Sequence, residues 1–282
     1  MGMFYNLVSN IRYGIVLPKK KNAQECREEA REKLRGRWGM AVLTGIVASL
    51  FGASGGSGFS FGSTGSYADV NLDSISADFS TAILGVLSVA LLAGVVLAIL
   101  FSVLVSGVVR VGYERFNLDL LKGKGKIETL FDFFRKGNYK KTVRLNVRYT
   151  LMMCLYALPL AFAVGAGVGA MLGGLILGVC VLWALAVPAA AYLIVAVYRY
   201  SMTFKVFAED PTLTAKEAMD RSSAIMNGRK WDLFCLEFSF IGWIFLGVLS
   251  CGIGMLWVIP YQQTAYASFY QNAVLYHKYG RE

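Results

Sequence analysis

The chain has 282 residues, of which 56% are hydrophobic and 16% are charged, and its mean hydropathy is +0.52. Soluble domains carry about 25% charged residues. This composition therefore excludes a disordered chain, a coiled coil and a nucleic-acid-binding module, and it indicates a polytopic membrane protein. A net charge of +10 in such a protein indicates basic loops gathered on one membrane face rather than a nucleic-acid partner.

Long uncharged runs predict an all-α fold, a polytopic membrane bundle of six transmembrane helices. A helix needs about 20 apolar residues to cross a bilayer. The region 1–37 is expected to be a cytoplasmic or interfacial helical region, 38–276 the membrane domain, and 277–282 a cytoplasmic tail. The six predicted spans are 38–53, 81–109, 149–168, 174–198, 233–250 and 254–276.

The break between the third and fourth spans is expected in the glycine-rich stretch 164–174. Gly165, Gly169 and Gly173 in this stretch also have the GxxxG spacing that allows helices to approach closely. Close helix packing is therefore the alternative interpretation of the same residues.

The distribution of charge predicts the orientation. If the N-terminus is cytoplasmic, the inside segments carry all 28 Lys and Arg residues, whereas the outer loop, about 54–80, carries three Asp and no basic residue. The positive-inside rule then places both ends of the chain in the cytoplasm. The inside segments are 1–37, 110–148, 199–232 and 277–282.

Cysteine and histidine content limits the chemistry. The five Cys residues show no CxxC spacing, and His277 is the only His in the chain. A zinc site and a Cys–His or Ser–His nucleophile are therefore not expected. We expect no catalytic residue, no metal and no cofactor, and hence a protein that is not an enzyme.

Capping boxes predict short amphipathic helices in the inside segments. Asn22 and Glu25 have this spacing, and apolar residues recur behind them at helical steps, which favours a helix lying on the bilayer interface. Thr214 and Glu217 form a second box, and the helix that follows is expected to end at Gly228.

A cluster of basic residues surrounds a third apolar stripe, in the segment 127–134. Basic residues next to a membrane attract anionic lipid by about 1 kcal/mol each. A general electrostatic anchor and a specific headgroup site are both consistent with the cluster. The residues expected to contact anionic lipid are Lys122, Lys124, Lys126, Arg135, Lys136, Lys140 and Lys141.

Glu237 is the one charged residue well inside an apolar run. A carboxylate inside a membrane is costly and is by default a functional candidate. The alternative is a structural role, with Glu237 snorkelling to the interface or pairing with Arg229, Lys230 or Arg199. The residues of this candidate intramembrane polar site are Glu237, Gln262, Gln263 and Arg199.

The last 80 residues contain several short motifs. Met226-x-Gly-x-Lys follows Ser222, and the motifs Phe-Ser-Phe-Ile-Gly-Trp at 238–243 and Gly-Ile-Gly at 252–254 come after it. With these motifs the chain resembles an uncharacterised bacterial membrane family, the domain of unknown function 975. The resemblance implies a six-helix membrane protein, distantly similar to the membrane domain joined to some glycerophosphodiester phosphodiesterases. It implies no established activity.

Two functional hypotheses follow. The first is a non-enzymatic protein of the bacterial plasma membrane that scaffolds, senses or regulates envelope processes, with a basic cytoplasmic face that contacts anionic lipid. Its expected partners are membrane lipid and a membrane protein or a second copy of the chain, and no nucleic acid. The alternative is a transporter, or a protein that handles lipid or peptide, with a polar cavity near Glu237 and the last span.

Overall fold

The computed structural model describes residues 20–51 and 88–279, apart from 95, 99, 136, 174, 175 and 251, and these residues contain helices and no strand. In chain order the helices are α1 (Ala23–Leu34), α2 (Trp38–Leu50), α3 (Ser88–Leu121), a 3₁₀ turn (Ile127–Phe131), α4 (Asp132–Arg135), α5 (Tyr139–Leu172), α6 (Ile176–Tyr200), α7 (Thr203–Glu209), α8 (Ala215–Ile225), α9 (Lys230–Phe238), α10 (Ile241–Leu249) and α11 (Met255–Tyr279).

Four helical runs are long and apolar enough to cross a membrane. At most 22% of the residues in their most apolar stretches are buried within the protein. Large side chains such as Leu97, Phe162 and Val187 therefore face outward, which indicates a membrane-embedded protein. The four runs are Ser88–Leu121, Tyr139–Leu172, Gly178–Glu209 and Lys230–Leu249.

The first and last predicted spans differ from these four. Helix α2 has 13 residues, or about 20 Å, which is shorter than a hydrocarbon core of about 30 Å. The ring of Phe51, directly after α2, lies 6.1 Å from that of Phe131, although the six-span prediction puts these residues at opposite membrane faces. Helix α11 is long enough, with 25 residues, but most of it is buried. Six spans therefore stay a prediction.

The predicted break near residue 174 is close to its observed position, because α5 continues to Leu172 and is capped by Gly173. A methyl group added at Gly165 or Gly169 would meet nothing within 4 Å. Gly167 instead lies against the Trp183 side chain of α6. Close helix packing at Gly165 and Gly169 is therefore not observed among the described residues.

Helix α11 is the centre of a compact layer that contains most of the buried residues. It packs against α1, α2, α3, α8 and α10. Three of its alanines, Ala265, Ala267 and Ala273, are fully buried, and such small side chains let neighbouring helices approach closely. This layer, rather than the apolar stretches of the four long runs, contains the hydrophobic core.

The two predicted capping boxes are present. The Asn22 N–H donates to Glu25 at 3.0 Å, and Thr214 and Glu217 exchange two hydrogen bonds. The apolar face of α1 is buried against the protein, since Cys26, Ala30 and Leu34 are fully inaccessible. This face therefore packs against neighbouring helices, chiefly α11, and not on a bilayer interface as predicted.

The 3₁₀ turn folds back along α3. Gly112 of α3 meets the turn at Leu130, where an added methyl group would lie 2.1 Å from the Leu130 carbonyl oxygen. The reversal occurs at Gly123, whose φ is +75°. This arrangement places the basic segment 122–126 at the end of α3.

Candidate functional site

The carboxylate of Glu237, near the end of α9, accepts a hydrogen bond from the Tyr198 hydroxyl of α6 at 2.5 Å. Glu237 is half-buried. Its partner is therefore a phenol rather than one of the basic residues considered from the sequence, and the contact joins two of the four long apolar runs.

Arg199 is directed away from this carboxylate. Its Nε donates to the Ser223 hydroxyl at 2.6 Å, and its carbonyl oxygen accepts from Ser222 at 3.2 Å. Successive residues of a helix point about 100° apart, so Tyr198 and Arg199 meet different neighbours. Arg199 thus links α6 to α8 rather than contributing to the polar site at Glu237.

Gln262 and Gln263 are buried on α11, with 4% and 1% exposure. Gln262 donates to the Tyr266 hydroxyl at 2.6 Å, while its carbonyl oxygen is buried and has no hydrogen-bond partner among the described residues. Tyr266 lies close enough to Glu237 and Tyr198 for electrostatic interaction with both. Gln262 therefore pairs with Tyr266, whereas no hydrogen bond joins Gln262 to Glu237 among the described residues.

A buried ion pair next to these residues was not predicted. Lys205 of α7 lies 2.7 Å from the carboxylate of Glu114 on α3, and its ammonium group is 5.9 Å from the centre of the Tyr266 ring. The sequence feature that could have indicated this pair is the position of Lys205 between Phe204 and Val206, which both belong to the hydrophobic core.

Arg229 is a second buried cation, with 2% exposure. Its guanidinium donates to Asn272 of α11 at 2.9 Å and to Asp232 at 3.3 Å, and it lies 4.9 Å from the ring centre of Phe269. Asp232 also pairs with Lys20 at 2.8 Å. These contacts connect the segment before α1 and the start of α9 to α11.

Glu29 connects α1 to α11 as well. Its carboxylate accepts from Lys21 at 2.7 Å and also from the Ser268 hydroxyl. Burial alone would raise the pKa of Glu29, but the hydrogen bonds from Lys21 and Ser268 outweigh it, and the pKa lies below its ordinary value. The charged form of Glu29 is therefore the form that holds α1 in place.

The basic residues around the 3₁₀ turn form a surface that we call the basic surface. Phe131 and Phe134, which lie between Lys126 and Lys140 in the chain, are 40% and 38% exposed, with their ring centres 6.3 Å apart. None of its lysines has a carboxylate within 4.0 Å among the residues described. The side chain of Arg135 and the residue Lys136 lie outside the described part. The exposed lysines of the basic surface are Lys122, Lys124, Lys126, Lys140 and Lys141.

Within the described ranges, no group of three or more His, Cys, Asp or Glu residues is arranged to hold a metal ion. Comparison with protein families gives a match over residues 19–275 to the family described as "Protein of unknown function (DUF975)". No curated protein and no solved structure matches the chain. The similarity to the membrane domain of glycerophosphodiester phosphodiesterases is not shown.

Proposed function

The chain belongs to the DUF975 family of proteins of unknown function, and from this premise we propose that it is a non-enzymatic integral membrane protein of the bacterial envelope. In this proposal it scaffolds, senses or regulates envelope processes through the basic surface, which binds anionic lipid at the cytoplasmic face. Both ends of the chain lie in the cytoplasm and the membrane is the plasma membrane.

The observation that carries the proposal is the charge of the basic surface. Its five exposed lysines have no carboxylate within 4.0 Å among the described residues, and the exposed rings of Phe131 and Phe134 lie between Lys126 and Lys140 in the chain. Aromatic rings favour the level of the lipid headgroups, and each basic residue near an anionic membrane contributes about 1 kcal/mol. A membrane of anionic lipid supplies the missing countercharge.

The proposed partners follow from the outward-facing side chains. The apolar faces of α3, α5 and α6 contact lipid tails, or a second membrane protein or second copy of the chain within the membrane. Nucleic acid is not among the partners, because the basic residues lie next to helices that are apolar enough to enter a bilayer.

The test uses the full chain, purified in detergent and titrated with phosphatidylglycerol or phosphatidylcholine. A variant with glutamine at all five lysines of the basic surface should bind phosphatidylglycerol at least about tenfold more weakly, with unchanged binding of phosphatidylcholine. The control is Lys216→Gln with Lys278→Gln, since both lysines are exposed elsewhere. Equal phosphatidylglycerol affinity in the two variants would refute the proposal.

A second candidate function is favoured by the neighbourhood of Glu237. The hydrogen bond from Tyr198 and the unpaired carbonyl oxygen of Gln262 support a polar site for a transported or bound molecule. In vesicles containing the full chain, a Glu237→Gln variant should then lose flux of that molecule, whereas a Glu28→Gln variant should not. Unchanged flux in the Glu237 variant would reject this role.

A further inference from the structure

Arg37 lies beside the basic surface, although it belongs to a different part of the chain. Gly36 has a φ of +78°, a left-handed conformation that glycine adopts without strain, and it lets the chain turn from α1 into α2 within three residues. The Arg37 side chain reaches Gly123 in the loop after α3. A methyl group built on Gly123 would lie 3.6 and 3.7 Å from the two terminal guanidinium nitrogens.

The Arg37 guanidinium has no carboxylate partner within 4.0 Å in the part of the chain that the structure describes. The nearest acid along α3, Asp119, already pairs with Arg115 at 3.3 Å. Two carbonyls near the end of α3 are also occupied, because the Gly123 N–H donates to Leu120 and the Lys124 N–H donates to Asp119. The N–H groups of the Arg37 guanidinium therefore have no hydrogen-bond acceptor among the described residues.

Two further cations flank the contact point. Lys122 and Lys124 stand on either side of Gly123, and both are exposed. Arg37 itself is half-buried, so its position is more restricted than that of the lysines. Three basic residues from two separate segments are thus neighbours of Gly123, Lys122 and Lys124 along the chain and Arg37 through space.

We propose that Arg37, Lys122 and Lys124 form a binding site for the phosphoester headgroup of an anionic membrane lipid. A guanidinium presents paired donors that match two oxygens of a phosphate, and lysines add charge around it. Met40 and Leu43, in the first turns of α2, are 38% and 50% exposed and contact the acyl chains. This inference rests on the proposed function. It assigns the binding of anionic lipid to one site rather than to the charge of the whole basic surface.

The experiment measures the rise in melting temperature that phosphatidylglycerol causes in the full chain, relative to phosphatidylcholine. A ligand that binds the folded state raises this temperature, and the phosphatidylcholine reference removes any effect of a variant on folding. The Arg37→Gln variant should bind phosphatidylglycerol about fivefold more weakly, and the exposed control Lys216→Gln should bind as the wild type. Equal affinity in both variants would overturn the site.

A parallel arm identifies the source of the phosphate. Inorganic phosphate at millimolar concentration should leave the melting temperature of the wild type unchanged. If it reproduced the effect of phosphatidylglycerol, and this effect disappeared in Arg37→Gln, the ligand would be a soluble phosphate and the lipid assignment would be wrong.

Photo-crosslinking of the wild-type chain tests the site without any substitution. Phosphatidylglycerol with a photoreactive headgroup should label α2 or the 122–126 loop, and absence of label from both would overturn the site. If the Arg37→Gln variant binds phosphatidylglycerol normally while the five-lysine variant does not, the proposed site is wrong and the proposed function is supported. If neither substitution changes binding, both fail.

Discussion

The ammonium nitrogen of Lys205 lies 2.7 Å from a carboxylate oxygen of Glu114, and the two side chains are 4% and 7% exposed. The pair connects α7 to α3 inside the compact layer. A charge removed from water is costly, and its partner offsets that cost only while both are present. The stability of the folded protein therefore depends on the presence of both residues of this ion pair.

Removing one member of this pair should destabilise the protein strongly. A Lys205→Met variant leaves the Glu114 carboxylate buried without its countercharge, and the expected loss is about 3–5 kcal/mol of unfolding free energy. Chemical denaturation in detergent measures it. The matched control is Arg221→Gln, because Arg221 forms an exposed pair with Asp210 at 3.8 Å and exposed pairs contribute about 0–1 kcal/mol.

Removing both members should restore most of the stability. With Lys205→Met and Glu114→Leu together, neither charge of this pair is left in the core, and such replacements are often neutral or stabilising. A double variant as unstable as the worse single variant would show that the pair has a role beyond mutual neutralisation.

The close contact between α3 and the 3₁₀ turn gives a steric prediction. Gly112→Ala places a methyl group 2.1 Å from the Leu130 carbonyl oxygen, and the resulting strain should cost at least about 1–3 kcal/mol. Gly39→Ala in α2 is the control, because nothing lies within 4 Å of the added methyl group. There, alanine should be neutral or stabilising by about 0.5–1 kcal/mol. Thermal unfolding of both variants measures the difference, and similar melting temperatures would contradict the packing.

The sequence was informative where local rules determine structure. The capping boxes at Asn22 and Thr214 and the breaks near Gly173 and Gly252 follow from short-range geometry and were predictable. The placement of α1 was not, because an apolar helix face looks the same whether it meets lipid or another helix. Only the tertiary fold shows that the apolar face of α1 packs against α11.

Glu29 should make stability depend on pH. Its pKa is below the ordinary value in the folded protein, so the stabilisation it provides is complete above its unfolded pKa of about 4.3 and is lost as the pH falls through the lower folded value. Melting temperatures of the wild type and Glu29→Gln from pH 6 to 3 should therefore converge in acid. The control is Glu28→Gln, since Glu28 is exposed and accepts a hydrogen bond from Gln24 of its own helix. A constant gap between wild type and Glu29→Gln would contradict the role assigned to the carboxylate.

The predicted orientation is tested by reporter fusions in cells. A reporter placed after Gly65 should report the outside, and one at the C-terminus should report the cytoplasm, because every Lys and Arg of the six-span arrangement lies on the inner side. A C-terminal reporter on the outside would refute six spans. A reporter after Gly65 on the inside would mean that α2 does not carry the chain across the membrane.

The candidate polar site shows a similar limit of sequence-based prediction. Glu237 stands out by its charge, and Gln262 as one of several polar residues within a predicted span, so both were recognisable. Tyr198 was not, because a tyrosine near the end of an apolar run is ordinary at a membrane interface. Its partnership with Glu237 depends on the packing of α6 against α9, which no local pattern specifies.

The burial of α11 affects how the chain assembles. The four long apolar helices precede it and can enter the membrane as they are synthesised, but Lys205, Glu114 and Arg229 reach their buried surroundings only after residues 255–279 have left the ribosome. At about 5–20 residues per second, the nascent chain spends seconds with its helices inserted and its core still open. Closure of the core thus follows the synthesis of α11 and depends on it.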